Sequence, residues 1–165
     1  MVNVDHPANR GVLTYLGDPD RLGRSVSSAK GERECRPGDV EQPYMTLGTH
    51  PDLVARLWDQ LQLGRVLPAD CRSVLYGMPA LVRPDTGVIF GIAGGTQMYA
   101  LRLDGPGESA ALAAGAGRTF RYPAYPSLGI DDLVIDLARF GDGWVFGGWY
   151  GGEAEWIKAA YAAAI

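Results

Sequence analysis

Residues 79–104 read PALVRPDTGVIFGIAGGTQMYALRLD, three short apolar runs divided by Pro84-Asp85-Thr86-Gly87 and by Gly94-Gly95. Proline and glycine supply the fixed and the positive φ values that tight reversals need, so both dividers read as hairpin turns. Alternation sets Val88, Phe90 and Ile92 on one side of the middle run, and Tyr99, Leu101 and Leu103 on one side of the next. The expectation is an antiparallel meander with one buried face.

Upstream of the meander, Thr49 and Asp52 form a capping box and Pro51 sits in the first turn of a helical pattern. Leu53, Leu57, Trp58 and Leu61 recur at helical spacing, and Gly64 supplies the stop. Residues 1–44 differ in composition: six basic and seven acidic residues with five glycines and four prolines leave the apolar positions scattered. Such a stretch buries too little surface to offset its ordering entropy, so it reads as a disordered or loosely packed extension. Only GVLTYLG, residues 11–17, suggests a short strand there. Met45 opens the periodic part and reads as a natural beginning, with 45–165 as a single domain and 1–44 as an upstream extension or a functional disordered arm.

Downstream, the Ala-rich residues 108–116 predict a short helix, and Pro123 and Pro126 break the next stretch into extended pieces. In residues 129–143, Ile130, Leu133, Val134 and Leu137 fit a helix, the reading adopted, while Leu133, Ile135 and Leu137 fit a strand nearly as well. The closing motif GWVFGGWYGGEAEW, residues 143–156, holds three of the four tryptophans. It predicts a strand from Trp144, with Phe146 on the same side and Trp149 on the other, then an Ala-rich final helix that packs through Trp156, Ala160 and Ala163. The fold class is therefore α+β: a helix, a curved antiparallel meander, further short helices and a C-terminal helix packed on the sheet.

Composition narrows the function. The chain has 165 residues, 47% of them hydrophobic, and a formal net charge of −4. An acidic balance disfavours binding to a phosphate backbone, which rests on Lys and Arg. The basic stripe available for a weak nucleic-acid role is Arg83, Arg102, Arg118 and Arg121. Two distant cysteines, Cys35 and Cys71, give neither a disulfide framework nor a zinc site. No signal-peptide pattern opens the sequence, and no stretch approaches the about 18 apolar residues of a membrane span, so a cytoplasmic protein with no membrane partner is expected.

The segment 75–104 resembles the N-terminal domain of the TfoX proteins and the related YjbR-like group. Tyr76-Gly77-Met78 stand at that family's turn, Asp85-Thr86-Gly87 at its strand end, Val88-Ile89-Phe90-Gly91 on its middle strand and Met98 to Asp104 on its third. Phe120-Arg121-Tyr122 resemble its later Phe-x-Tyr, and Trp156 to Ala159 its closing Trp-x-x-Ala, so the likeness spans about residues 49–163. Met78-Pro79 replace the family's second turn glycine, and residues 145–152 have no counterpart in it. The resemblance implies a helix on a curved antiparallel sheet and an interaction or regulatory module with no catalytic set and no cofactor.

Candidate chemistry is sparse. A small enzyme would have to use Cys71 or His50, and no second and third catalytic group accompanies either. Asp131-Asp132 read as acidic residues at a helix start, where they meet the dipole favourably. No cluster has metal-ligand spacing, and GIAGGT and GDGWVFGG lack the strand–helix context of phosphate-binding loops. What remains is a groove for a protein partner or small apolar ligand, lined by Trp149, Tyr150 and the Gly151-Gly152 pair with Tyr76 and Met78 from the other turn. An exposed apolar sheet face would also permit a homodimer, and an immunity-type binding protein is a further reading on charge alone.

Overall fold

A computed structural model of the chain describes residues 1–19, 40–42, 67–76, 78–94, 98–122, 126–128, 133–147 and 153–165. The helix expected between the Thr49 cap and the Gly64 stop lies outside the described residues. The fold class is α+β.

The meander forms as its turns dictate. Strands β1 (Glu41–Gln42), β2 (Arg72–Leu75), β3 (Met78–Val82), β4 (Ile89–Gly94) and β5 (Met98–Arg102) follow one another antiparallel, and β8 (Trp144–Phe146) joins β5 to close a six-stranded sheet. Strands β6 (Thr119–Tyr122) and β7 (Leu133–Asp136) make a separate two-stranded ribbon. The ribbon continues the sheet's far edge, because Gly117 and Phe146 exchange both backbone hydrogen bonds at 2.8 and 2.9 Å. Helix α1 (Arg10–Leu16), helix α2 (Gly105–Ala113) and helix α3 (Glu153–Ala163) surround this frame. Asp104 caps α2 by accepting from the Gly107 N–H at 2.7 Å, so the helix starts three residues earlier than the alanine run suggests.

The sheet is buried on both faces, not one. On the first face Leu81, Phe90, Leu101, Leu103 and Val145 pack with Ala111 of α2 and with Ile157, Ala160 and Ala164 at the end of the chain. On the second, Ala80, Val82, Ile89, Ile92, Ala100 and Trp144 pack with Val12, Leu16, Leu137 and Phe140. Because α3 packs through Ile157, Ala160 and Ala164, Trp156 sits half-buried at the flank of that face and not at its centre.

The expected grouping of Val88, Phe90 and Ile92 also fails. Val82 pairs with Ile89 whereas Leu81 pairs with Gly91, so Phe90 is an extra residue on β4. A bulge of this kind reverses the alternation beyond it. Val88 and Phe90 therefore face α3, while Ile89 and Ile92 share the opposite face.

Two other expectations are corrected. Residues 133–136 are a strand and not a helix: Val134 is 54% exposed, the next residue, Ile135, only 6%, and Leu137 is buried. Residues 10–16 are a helix and not a strand. Val12 and Leu16, one helical turn apart, are both at 0% exposure. Helix α1 lies so close to the 3-10 turn Leu137–Phe140 that a Cβ on Gly11 would stand 2.5 Å from the Phe140 carbonyl oxygen.

Asn9 completes the attachment. Its side chain is fully buried; Nδ2 donates to the carbonyls of Asn3 at 2.7 Å and Gly87 at 2.8 Å, and Oδ1 accepts from the Ile89 N–H at 2.9 Å. The amide thus gives the Ile89 N–H the acceptor it would otherwise lack under α1, and adds a second donor to the Asn3 and Gly87 carbonyls.

Candidate functional site

Strands β2 and β3 are joined by residues 76 and 77, with Leu75 opposite Met78. A two-residue hairpin of this kind requires positive φ in its loop. Tyr76 supplies it, at φ +48°, and among the described residues no other non-glycine has a positive φ. A side chain in that region costs on the order of 1 kcal/mol or more, so the surroundings must hold it. Two contacts do. The Tyr76 N–H donates to the Val40 carbonyl at 3.0 Å. The ring lies against Gly17, the residue closing α1, where an added Cβ would come within 2.9 Å of Cζ.

Met78 is half-buried and packs, like Tyr76 and Val40, on the edge of the core beneath α1. The structure therefore brings Tyr76 and Met78 to one apolar rim formed by three distant chain segments. Trp149, Tyr150, Gly151 and Gly152, the other predicted groove residues, lie outside the described residues, as does His50.

Cys71, the other nucleophile candidate, closes the 3-10 turn Ala69–Cys71 at 1% exposure. Burial, reinforced by the negative charge of Asp70, pushes its thiol up from an ordinary 9.0 to about 11. A nucleophilic cysteine needs the opposite shift, toward thiolate at neutral pH. Among the described residues no group of three or more His, Cys, Asp or Glu could hold a metal ion.

Three of the four arginines singled out as a basic stripe, Arg83, Arg102 and Arg118, are occupied within the fold. Arg83 grips Asp85 through two hydrogen bonds, at 2.7 and 3.1 Å, and holds that carboxyl below its usual range. Its remaining nitrogen donates to the Tyr161 carbonyl at 3.1 Å while the guanidinium stacks 4.6 Å from the Tyr161 ring. Arg102 reaches the Ala163 carbonyl at 3.5 Å, and Arg118 pairs with Glu108. The side chain of Arg121 lies outside the described residues. Arg83, Arg102 and the Thr86 hydroxyl, which donates to the Ala164 carbonyl at 2.7 Å, together supply donors to carbonyls at the end of α3.

Sequence reasoning missed Asn9, and it missed Glu41. The Glu41 carboxylate accepts from the Val2 N–H at 2.7 Å and from the Ser73 hydroxyl at 2.9 Å. No local signal marks either residue, since their partners lie on other segments of the chain. Among the described residues no helix is long and apolar enough to cross a membrane. No family model matches the chain, and neither a curated protein nor a solved structure matches it significantly.

Proposed function

We propose that this chain is a non-catalytic binding module, an interaction or regulatory domain of the kind that the TfoX/YjbR-like resemblance implies, taking an apolar peptide segment of a protein partner or a small apolar ligand. The observation that carries the reading is the rim at the β2–β3 turn. There a tyrosine is held at positive φ beside a half-buried methionine, at a junction of α1, β1 and the sheet. Residues kept in a costly backbone conformation concentrate at ligand clamps and switch regions. A flexible thioether beside an aromatic ring adapts to varied apolar surfaces.

The buried polar side chains support the same reading, because Asn9 and Ser73 are spent on holding the fold. The sealed, raised-pKa Cys71 points the same way. The test is a random-peptide display selection on the full chain, with a Met78→Glu variant as the counter-target. Peptides with apolar anchors should be enriched and should lose about tenfold or more in affinity on the variant. Peptides that bind both proteins equally would overturn the reading. So would turnover in a hydrolase and transferase substrate panel that disappears in Cys71→Ala or His50→Ala.

A further inference from the structure

We infer that residues 1–19 and 40–42 open and close over the second face of the sheet as one unit, with Tyr76 as the clasp that holds it shut. Helix α1 has seven residues and β1 has two, too short for either to persist without the contacts beneath them. Strands β3, β4 and β5 are each paired on both sides and covered on both faces. The free energy of local opening follows such differences.

The two short pieces are tied to each other as well as to the sheet. The Val2 N–H donates to Glu41 Oε2 at 2.7 Å, and the Ser73 hydroxyl donates to the other oxygen of the same carboxylate at 2.9 Å. Tyr76 touches both pieces: its N–H bonds Val40 and its ring covers Gly17. Neither piece leaves the sheet without disturbing the contacts of the other.

Beneath the unit runs an aromatic series. Tyr15 of α1 stacks on Phe140 with ring centres 4.9 Å apart, and Phe140 meets Trp144 edge to face at 5.5 Å. The Trp144 indole N–H is buried and finds no hydrogen-bond partner among the described residues. Opening lifts Tyr15 off Phe140, and no hydrogen bond of the Trp144 indole is lost when it does.

The assignment makes an unusual demand on two sheet residues. The amides of Tyr76 and Ile89 sit on strand ends, yet each donates into the N-terminal unit, to the Val40 carbonyl and to Asn9 Oδ1. Their exchange should follow α1 and not the sheet. Native-state hydrogen exchange by NMR on the ligand-free full chain tests this. The amides of Asn3, Gly17, residue 76 and Ile89 should exchange at one common rate, at least about 100-fold faster than the β4 and β5 amides bonded within the sheet. Tyr76→Asn keeps a residue suited to positive φ but removes the ring, and should speed that set about tenfold while leaving β4 and β5 unchanged. If Tyr76→Asn does not fold, Gly17→Ala presses on the same ring from the other side and should give the same selective acceleration. Exchange of Gly17 and Ile89 at the rate of the sheet, or acceleration confined to the substituted turn, overturns the inference.

Discussion

The two faces of the sheet are buried by different means. On the C-terminal face an eleven-residue helix approaches closely because Ala160 and Ala164 are small, and Arg83, Arg102 and Thr86 receive its final carbonyls. On the N-terminal face a seven-residue helix and a 3-10 turn cover the sheet with large side chains, Leu16 and Phe140, which pack with Trp144 of β8 in the core that holds the buried amide of Asn9. Helix length and regular capping secure one face; bulky apolar anchors and a saturated polar plug secure the other. A short segment of unpromising composition becomes core when its few apolar residues fall one turn apart and its polar residues find fixed partners.

Paired truncations test that equivalence most strongly. Leu16→Ala and Ile157→Ala each remove a fully buried aliphatic side chain, one per face. Each should cost about 2–5 kcal/mol in urea unfolding. A cost below about 0.5 kcal/mol for Leu16→Ala, the level of an exposed surface change, would mean that the N-terminal face is an ornament. Asn9→Ala comes next. It orphans the Ile89 N–H and removes a donor from the Gly87 carbonyl, for about 2–3 kcal/mol. Asn9→Asp should be no better, because it keeps the acceptor while deleting the donors and burying a charge.

These same features explain what the sequence could and could not disclose. The meander was legible because each hairpin is local: its strands follow directly on one another, with only a short turn between them. The bulge at Phe90 was not, since Ile89-Phe90-Gly91-Ile92 alternates plausibly in either phase and only the pairing with β3 decides. Helix α1 offers two anchors over seven residues, too few for a period to emerge from its polar surroundings. Residues 133–137 satisfy both periods, and the pairing of β7 with β6 selects the strand. Asn9 bonds a carbonyl 78 positions away, beyond any local pattern. In the candidate site, Tyr76 and Met78 were legible as turn neighbours, but Tyr-Gly gives no warning that the tyrosine itself takes the positive φ.

Cys71 sharpens the comparison through pH. It belongs to the C-terminal core, and its thiol titrates near 11 when folded, against an ordinary value of 9.0. Unfolding releases the thiol to ionise at the lower value, so the folded chain binds more protons between the two. The stability that this group contributes is complete below pH 9 and is lost as pH rises toward 11, by on the order of 2 kcal/mol. Urea midpoints measured from pH 8 to pH 11 should therefore fall, and Cys71→Ala should remove this part of the slope. A slope unchanged in the variant would assign the alkaline loss to other groups.

The smallest effect bears on how the faces communicate. The turn between β3 and β4 serves both: Thr86 donates to the Ala164 carbonyl at the end of α3, while the next residue, Gly87, accepts from Asn9 and from the Asn3 N–H at 2.9 Å. Thr86→Val keeps the shape of the side chain and removes the hydroxyl, for about 1 kcal/mol. If the faces were independent, combining it with Asn9→Ala would add the two costs within about 0.5 kcal/mol. Adjacent residues of one tight turn do not relax separately, however, because freeing either carbonyl or hydroxyl shifts the backbone that presents the other. The double variant should depart from additivity by more than that margin. The departure should vanish when Asn9→Ala is paired instead with Ile157→Ala, which lies on the far face and has no part in the turn.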